Sequence, residues 1–104
     1  MKYRSEWGGE YEVEALRAKY SNNGNLAIVL RCENGEPFST LTVNLSDYPK
    51  LKPNMAFVDT NNNLTAEEFI KEYELGKPTG TIGFSGYCVY PLYEFDLDKI
   101  KEAK

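Results

Sequence analysis

Residues 26–45, LAIVLRCENGEPFSTLTVNL, decide the predicted fold. Residues 26–33 predict a strand, in which one side carries Leu26, Ile28, Leu30 and Cys32 and the other carries Ala27, Val29, Arg31 and Glu33. The Asn34-Gly35 pair is typical of a tight hairpin turn, and the alternation resumes along residues 37–45. The stretch therefore predicts two antiparallel strands joined by a short turn.

Further strands are predicted on both sides of this hairpin. A Gly8-Gly9 turn joins the first two of them, and the apolar phase of the second slips near Ala15, which predicts a bulge or a bend there. Two prolines in residues 46–54 predict a surface connection. The additional strands are residues 2–7, 10–20, 55–60 and 87–97.

One amphipathic helix follows the connection. Its apolar stripe has helical spacing, and its other side is rich in glutamate. Thr65 and Glu68 predict a capping box, and Gly76 with Pro78 predicts the end of the helix. The stripe consists of Ala66, Phe69, Ile70 and Tyr73. We therefore expect an α+β fold: a twisted antiparallel sheet, a meander of about five or six strands, with one amphipathic helix packed on one face.

The composition of the chain limits the classes of function that we expect. The chain has 104 residues, 12 basic and 16 acidic side chains, a net charge of -4 and no histidine. This length fits a single domain over residues 1–104, and no apolar run predicts a membrane span or a secretory signal, so we expect a cytoplasmic protein that contacts no membrane. Without histidine the commonest general base and metal ligand are missing, which argues against an enzyme.

Neither a metal nor a cofactor is predicted. Residues 59–63 begin like a calcium loop, but Leu64 and Ile70 stand where that loop needs glycine and glutamate. These residues are instead predicted to form a turn, with Asn63 or Thr65 as the helix cap. Cys32 and Cys88 lack metal-ligand spacing and are expected to be free thiols, unless the strands bring them together as a disulfide.

Residues 76–86, GKPTGTIGFSG, predict a long glycine-rich loop. Such a loop in a small domain is often functional. Its lysine, hydroxyls and backbone amides could cradle an anion, although the spacing matches no phosphate-binding motif. The loop is followed by an aromatic strand, in which Pro91 favours an edge position. We predict a protein contact site from both segments: Lys77, Thr79, Phe84, Ser85, Tyr87 and Tyr90.

Charged residues suggest two further surfaces. The helix predicts an acidic face of Glu67, Glu68, Glu72 and Glu74, and more carboxylates cluster at residues 10–14 and 94–98. The basic residues are scattered, although Arg17, Lys19 and Arg31 could meet on one sheet face. This balance argues against direct nucleic-acid binding, since that binding depends on cations that neutralise phosphates.

Several segments together resemble a known family: YSNNGNLAIVLRCENGEPFSTLTVNL, AFVDTNN, EEFI, LGKPTG and SGYCVYPLYEFDL. The chain resembles a family of short uncharacterised bacterial proteins, a domain of unknown function associated with conjugative transposons and other mobile elements. The resemblance implies an accessory factor that binds a host or element-encoded protein. It carries no catalytic residue.

Three functions remain open at this point. The first is a non-enzymatic protein-binding module that uses the glycine-rich loop and the aromatic last strand, with an unidentified protein or a second copy of the chain as partner. The second is an acidic inhibitor that imitates DNA and binds a host nucleic-acid-binding or defence protein. The third is a small-molecule or anion-binding protein that uses the glycine-rich loop.

Overall fold

The computed structural model describes residues 1–45 and 50–103. Part of the predicted connection, residues 46–49, lies outside the described residues. The described residues form nine strands in two sheets and one α-helix. The elements are β1 (Lys2–Arg4), β2 (Glu10–Lys19), β3 (Leu26–Cys32), β4 (Pro37–Thr40), β5 (Thr42–Val43), β6 (Met55–Val58), α1 (Ala66–Glu72), β7 (Gly76–Ser85), β8 (Cys88–Phe95) and β9 (Lys101–Glu102).

The first sheet has the order β1-β2-β3-β4, with β9 parallel to β2. The β2–β3 register runs from Val13 opposite Cys32 to Lys19 opposite Leu26 without a shift. The predicted bulge near Ala15 is therefore wrong. Apolar residues occur on both sides of β2 because Leu16 is buried as well, at the point where β9 pairs with the strand.

The predicted strand at residues 37–45 divides between the two sheets. The dividing residue is Leu41, which is fully buried. Its N–H donates to the carbonyl of Ile28 in the first sheet (2.8 Å), and its carbonyl accepts from the N–H of Asp59, beyond the end of β6 (2.9 Å). Leu41 therefore joins the two sheets, with β4 on one side and β5 on the other.

The second sheet has the order β5-β6-β8-β7. The expectation of a single meander is therefore wrong, whereas the α+β class is confirmed. The glycine-rich segment is also corrected, because it forms strand β7 rather than a loop and pairs with β8. Strand β8 lies inside this sheet and not at its edge, although β6 reaches only its second half.

The helix presents the predicted apolar stripe, with Ala66, Phe69 and Ile70 buried. The capping box is wrong, because the Thr65 hydroxyl donates to the carbonyl of Arg4 (2.6 Å) and caps no helical N–H. Glu74 rather than Gly76 takes the left-handed conformation that ends the helix (φ 52°), and the N–H of the next residue donates to Ile70 (2.9 Å).

The main core joins the helix to both sheets. Its members include Ile28 and Leu30 from the first sheet, Val58 and Phe95 from the second, and Ile70 from the helix. A second, smaller cluster lies on the other side of the second sheet and contains Leu45, Phe57, Tyr90 and Leu92. The second sheet is therefore packed on both sides over part of its length.

The last residues continue the fold. The structure shows a 3₁₀ turn at Leu97–Lys99 followed by β9. Lys104 lies outside the described residues. No helix in the described part of the chain has the length and apolar character needed to cross a membrane.

Candidate functional site

Strands β7 and β8 form a hairpin that extends beyond the main core. Gly86 and Tyr87 make its two-residue turn, between the paired residues Ser85 and Cys88. Gly86 has a φ of 61°, the left-handed backbone that glycine adopts most readily at the first position of such a turn. Tyr87 lies at the tip, fully exposed.

The inner face of the hairpin packs on the smaller core cluster. Tyr90 lies on this face and is only 7% exposed. Gly83 lies opposite Tyr90, and a Cβ atom at Gly83 would come within 2.7 Å of carbon atoms of Leu45 and Phe57. Glycine is therefore required here by the close approach of the strand to this cluster.

The outer face of the hairpin carries an apolar patch, which we define as Ile82, Phe84, Val89 and Pro91. Ile82 pairs with Pro91 and Phe84 pairs with Val89, so all four side chains point to the same side. Ile82, Phe84 and Val89 are 49%, 55% and 46% exposed. Contiguous exposed apolar side chains of this kind often mark an interaction site.

The patch continues the core face of β8. Tyr93 and Phe95 follow Pro91 on the same side of the strand, and both belong to the main core. The Tyr93 hydroxyl donates to the carboxylate of Glu67 on the helix. Burial and this hydrogen bond raise the pKa of Tyr93. From Tyr93 toward the start of β8, the main core no longer covers this face, and Val89 on the same side of the strand is half exposed.

Strand β7 lies at the edge of the second sheet. Three of its residues, 79–81, lie opposite Leu92 alone, and this irregularity contains Gly80 with a φ of 90°. The Thr79 hydroxyl stabilises it by donating to the Leu92 carbonyl (3.0 Å) and accepting from the N–H of Thr81 (3.1 Å). From Ile82 to Ser85 the strand is regular, so this part of the edge suits pairing with another strand.

The structure places the predicted contact residues on two sides of the hairpin. Five of them are exposed: Lys77, Thr79, Phe84, Ser85 and Tyr87. Tyr90 is buried in the smaller core cluster and does not lie on the exposed surface with the other five. The segment that was predicted as a loop able to cradle an anion is a strand instead, since residues 76–78 and 82–85 are paired with β8.

Sequence reasoning missed Ile82 and Val89. Ile82 was predicted to lie in the glycine-rich loop and Val89 in the aromatic strand, and neither was named as a contact residue. The sequence did contain a sign of this face: Ile82 and Phe84 lie two residues apart, on either side of Gly83, as expected for side chains on one face of a strand. The glycines on both sides hid that alternation.

The predicted acidic helix face contributes to an open groove of about 1240 Å³. Six carboxylates and three lysines line it: Glu67, Glu68, Glu74, Glu94, Asp96 and Asp98, with Lys71, Lys77 and Lys99. Glu72 lies away from the groove and pairs with Arg4 (2.7 Å), which also contacts Glu10 of β2 (3.2 Å). The acidic clusters are thus partly neutralised by intervening cations.

The described residues contain no cluster of histidine, cysteine and carboxylate side chains suited to a metal ion. Cys32 and Cys88 are free thiols, as predicted. Asp59 accepts hydrogen bonds from the backbone and side-chain nitrogens of Asn62 (3.2 and 2.9 Å), which confirms the predicted turn before the helix.

A family model described as Domain of unknown function (DUF4313) matches residues 16–104. The chain belongs to this family. The matched region begins within β2 and contains the whole β7–β8 hairpin and the acidic groove. Comparisons with the curated proteins and with the solved structures give no match.

Proposed function

We propose that this chain is a non-enzymatic accessory protein of a bacterial mobile element, acting in the cytoplasm, which binds another protein through the β7–β8 hairpin. The genomic setting rests on the resemblance of the sequence to such proteins. The contact surface rests on one observation: the apolar patch of Ile82, Phe84, Val89 and Pro91 lies exposed beside a strand edge.

Both parts of this surface favour a protein partner. The patch offers aliphatic and aromatic area, and Tyr87 at the tip adds a large side chain that loses little entropy on binding. The regular edge from Ile82 to Ser85 supplies backbone groups for strand addition. A partner strand would therefore gain hydrogen bonds along β7 and apolar contacts on the outer face.

The partner is either another protein or a second copy of this chain. Light scattering over a range of concentrations separates these cases, since a homodimer doubles the molar mass. In both cases the double variant Ile82→Thr, Val89→Thr should weaken the complex, because it removes apolar contact area and keeps β-branched side chains in the strands. Affinity capture from bacterial cytoplasm measures the heterologous case.

The matched control is Trp7→Ala. Trp7 is also a highly exposed aromatic residue, but it lies in the turn between β1 and β2, in the other sheet. We expect this variant to keep the complex. Equal binding by wild-type protein and the double variant, with both folded, would contradict the proposed surface.

A second candidate function is an acidic inhibitor that imitates DNA. The groove beside the helix supports it, since six carboxylates and three lysines line one surface. Binding of a DNA-binding or defence protein there should weaken steeply with salt. The variant Glu68→Gln, Glu74→Gln should reduce that binding, whereas salt-independent binding would contradict this candidate.

A further inference from the structure

A second pocket, of about 520 Å³, contains no residue of the β7–β8 hairpin. It is formed by the end of β2, the start of β3, residues 50–53 and the C-terminal segment. Four basic side chains and one carboxylate line it: Arg17, Lys19, Lys50, Lys52 and Glu102. Leu26, Leu51 and Leu97 add apolar walls.

The charge of this pocket is opposite to that of the chain. Four cations and one carboxylate give a local balance of +3, whereas the whole chain carries -4. Arg31, which was predicted to join Arg17 and Lys19, lies instead opposite Glu14 and so on the other face of the sheet. The basic cluster is therefore built from β2 and from residues 50–52.

Arg17 occupies an unusual position in this cluster. It follows Val13 and Ala15 on the core side of β2, where both of those residues are buried. Its Nε atom is buried, and no described residue accepts a hydrogen bond from it. The ion pair of Arg17 with Glu102 is long, at 3.8 Å, and Glu102 is 78% exposed.

A cation in this position is poorly compensated. The Arg17 side chain is 33% exposed, so water still reaches part of the guanidinium, but its buried Nε has lost hydration without gaining an acceptor, which carries a penalty. Surface pairs as long and exposed as that with Glu102 contribute little. The pocket therefore has a charged group that a bound anion would satisfy better than the chain does.

We infer that this pocket binds a small molecule through a phosphate or carboxylate group. The oxyanion would accept hydrogen bonds from Arg17 and pair with Lys50 and Lys52, and guanidinium groups suit such planar or tetrahedral oxyanions well. Leu51 and Leu97 would contact the apolar body of the ligand. The volume lies within the range of about 300–1,000 Å³ that is usual for small-molecule sites.

The inference is tested by titrating labelled protein with inorganic phosphate and, separately, with acetate, at constant ionic strength. Binding should shift amide signals saturably, and the shifts should be confined to the pocket residues Arg17, Ala18, Gly24, Asn25, Lys52 and Ala103. Stronger binding of phosphate would indicate a phosphorylated ligand, and stronger binding of acetate a carboxylic acid. Failure of both to bind, or small linear shifts spread over all lysines, would overturn the inference.

Variants assign the binding to named side chains. Arg17→Gln should lower the affinity for the anion at least tenfold. Lys52→Gln should lower it severalfold, because this lysine is exposed and contributes charge alone. The matched control is Lys101→Gln, since this exposed lysine neighbours Glu102 in sequence but does not line the pocket. Unchanged affinity in Arg17→Gln would contradict the site.

Thermal unfolding separates binding from folding. Because the charge of Arg17 is poorly compensated, Arg17→Gln should melt at the same temperature as wild type, or higher, without phosphate. Phosphate should raise the melting temperature of wild type and not of the variant. An equal increase for both proteins would overturn the inference. If Arg17→Gln fails to fold, Lys52→Gln gives the same comparison.

Discussion

Both halves of strand β8 carry large apolar side chains, but their surroundings differ. Residues 92–94 lie between β6 and β7. In the half formed by residues 92–95, Leu92 is buried on one face and Tyr93 and Phe95 on the other, whereas Glu94 is exposed. Residues 88–91 pair with β7 alone among the described residues; Tyr90 on the inner face is buried, whereas Val89 on the outer face is 46% exposed. The same apolar alternation therefore forms a core in one half and an exposed patch in the other, depending on what the rest of the fold places against it.

The largest effect is expected in the covered half. Phe95→Ala removes a side chain that is almost fully buried in the main core, which should lower the free energy of unfolding by about 3–5 kcal/mol. Urea denaturation measures this loss. A change below about 1 kcal/mol would show that this half is not packed as described.

The inner face of the exposed half should be nearly as sensitive. Gly83→Ala would place a Cβ atom against Leu45 and Phe57, and we expect a loss of about 1–3 kcal/mol. Ser85→Ala, at an exposed position of the same strand, should change stability by less than about 0.5 kcal/mol. Equal effects of the two substitutions would mean that the inner face is open.

In the covered half of β8, the hydrogen bond between Tyr93 and Glu67 should make the stability of the protein depend on pH. The pKa of Tyr93 is raised in the folded state. The stability that the protonated Tyr93 hydroxyl contributes is therefore complete below the ordinary pKa of about 10 and is lost as the pH rises above that value. Tyr93→Phe should lower stability by about 1 kcal/mol near neutral pH.

Denaturation curves near pH 8 and pH 11 give the test. Wild-type protein should lose more stability over this interval than Tyr93→Phe, since the other tyrosines are the same in both. Parallel losses would indicate that Tyr93 titrates as it does in the unfolded chain.

The smallest effect on stability is expected on the outer face. The double variant Ile82→Thr, Val89→Thr should change the free energy of unfolding by less than about 0.5 kcal/mol for each substitution, because both side chains are half exposed. The same variant should lose partner binding. A large loss of stability would mean that the patch serves the fold and not an interaction.

Apolar periodicity in the sequence predicted those elements whose apolar side chains are the ones that the fold buries. Strand β3 and the apolar stripe of Ala66, Phe69 and Ile70 are as expected, since each contributes buried side chains to the main core. Leu41 could not be recognised as a division between sheets, because the alternation passes through it unchanged. That division depends on hydrogen bonds to Ile28 and Asp59, which are distant in the sequence.

The sequence did not predict that residues 76–85 form a strand paired with β8. Glycine is uncommon in strands, so residues 76–86 favoured a loop, and only the contacts of Gly83 with Leu45 and Phe57 explain why a strand needs glycine there. Alternation placed Tyr87 and Tyr90 on different sides. It could not show which side the smaller core cluster covers, because Leu45 and Phe57 belong to other elements.

Site-specific photocrosslinking in the bacterial cytoplasm tests the central claim most directly. A photoreactive amino acid at position 87, at the tip of the hairpin, should give a defined crosslinked product, either with a partner protein or with a second copy of the chain. The product should disappear when Ile82→Thr and Val89→Thr are added. The same amino acid at position 7 should give no such product. Absence of a product at position 87, or an identical product at position 7, would contradict a docking surface on the β7–β8 hairpin.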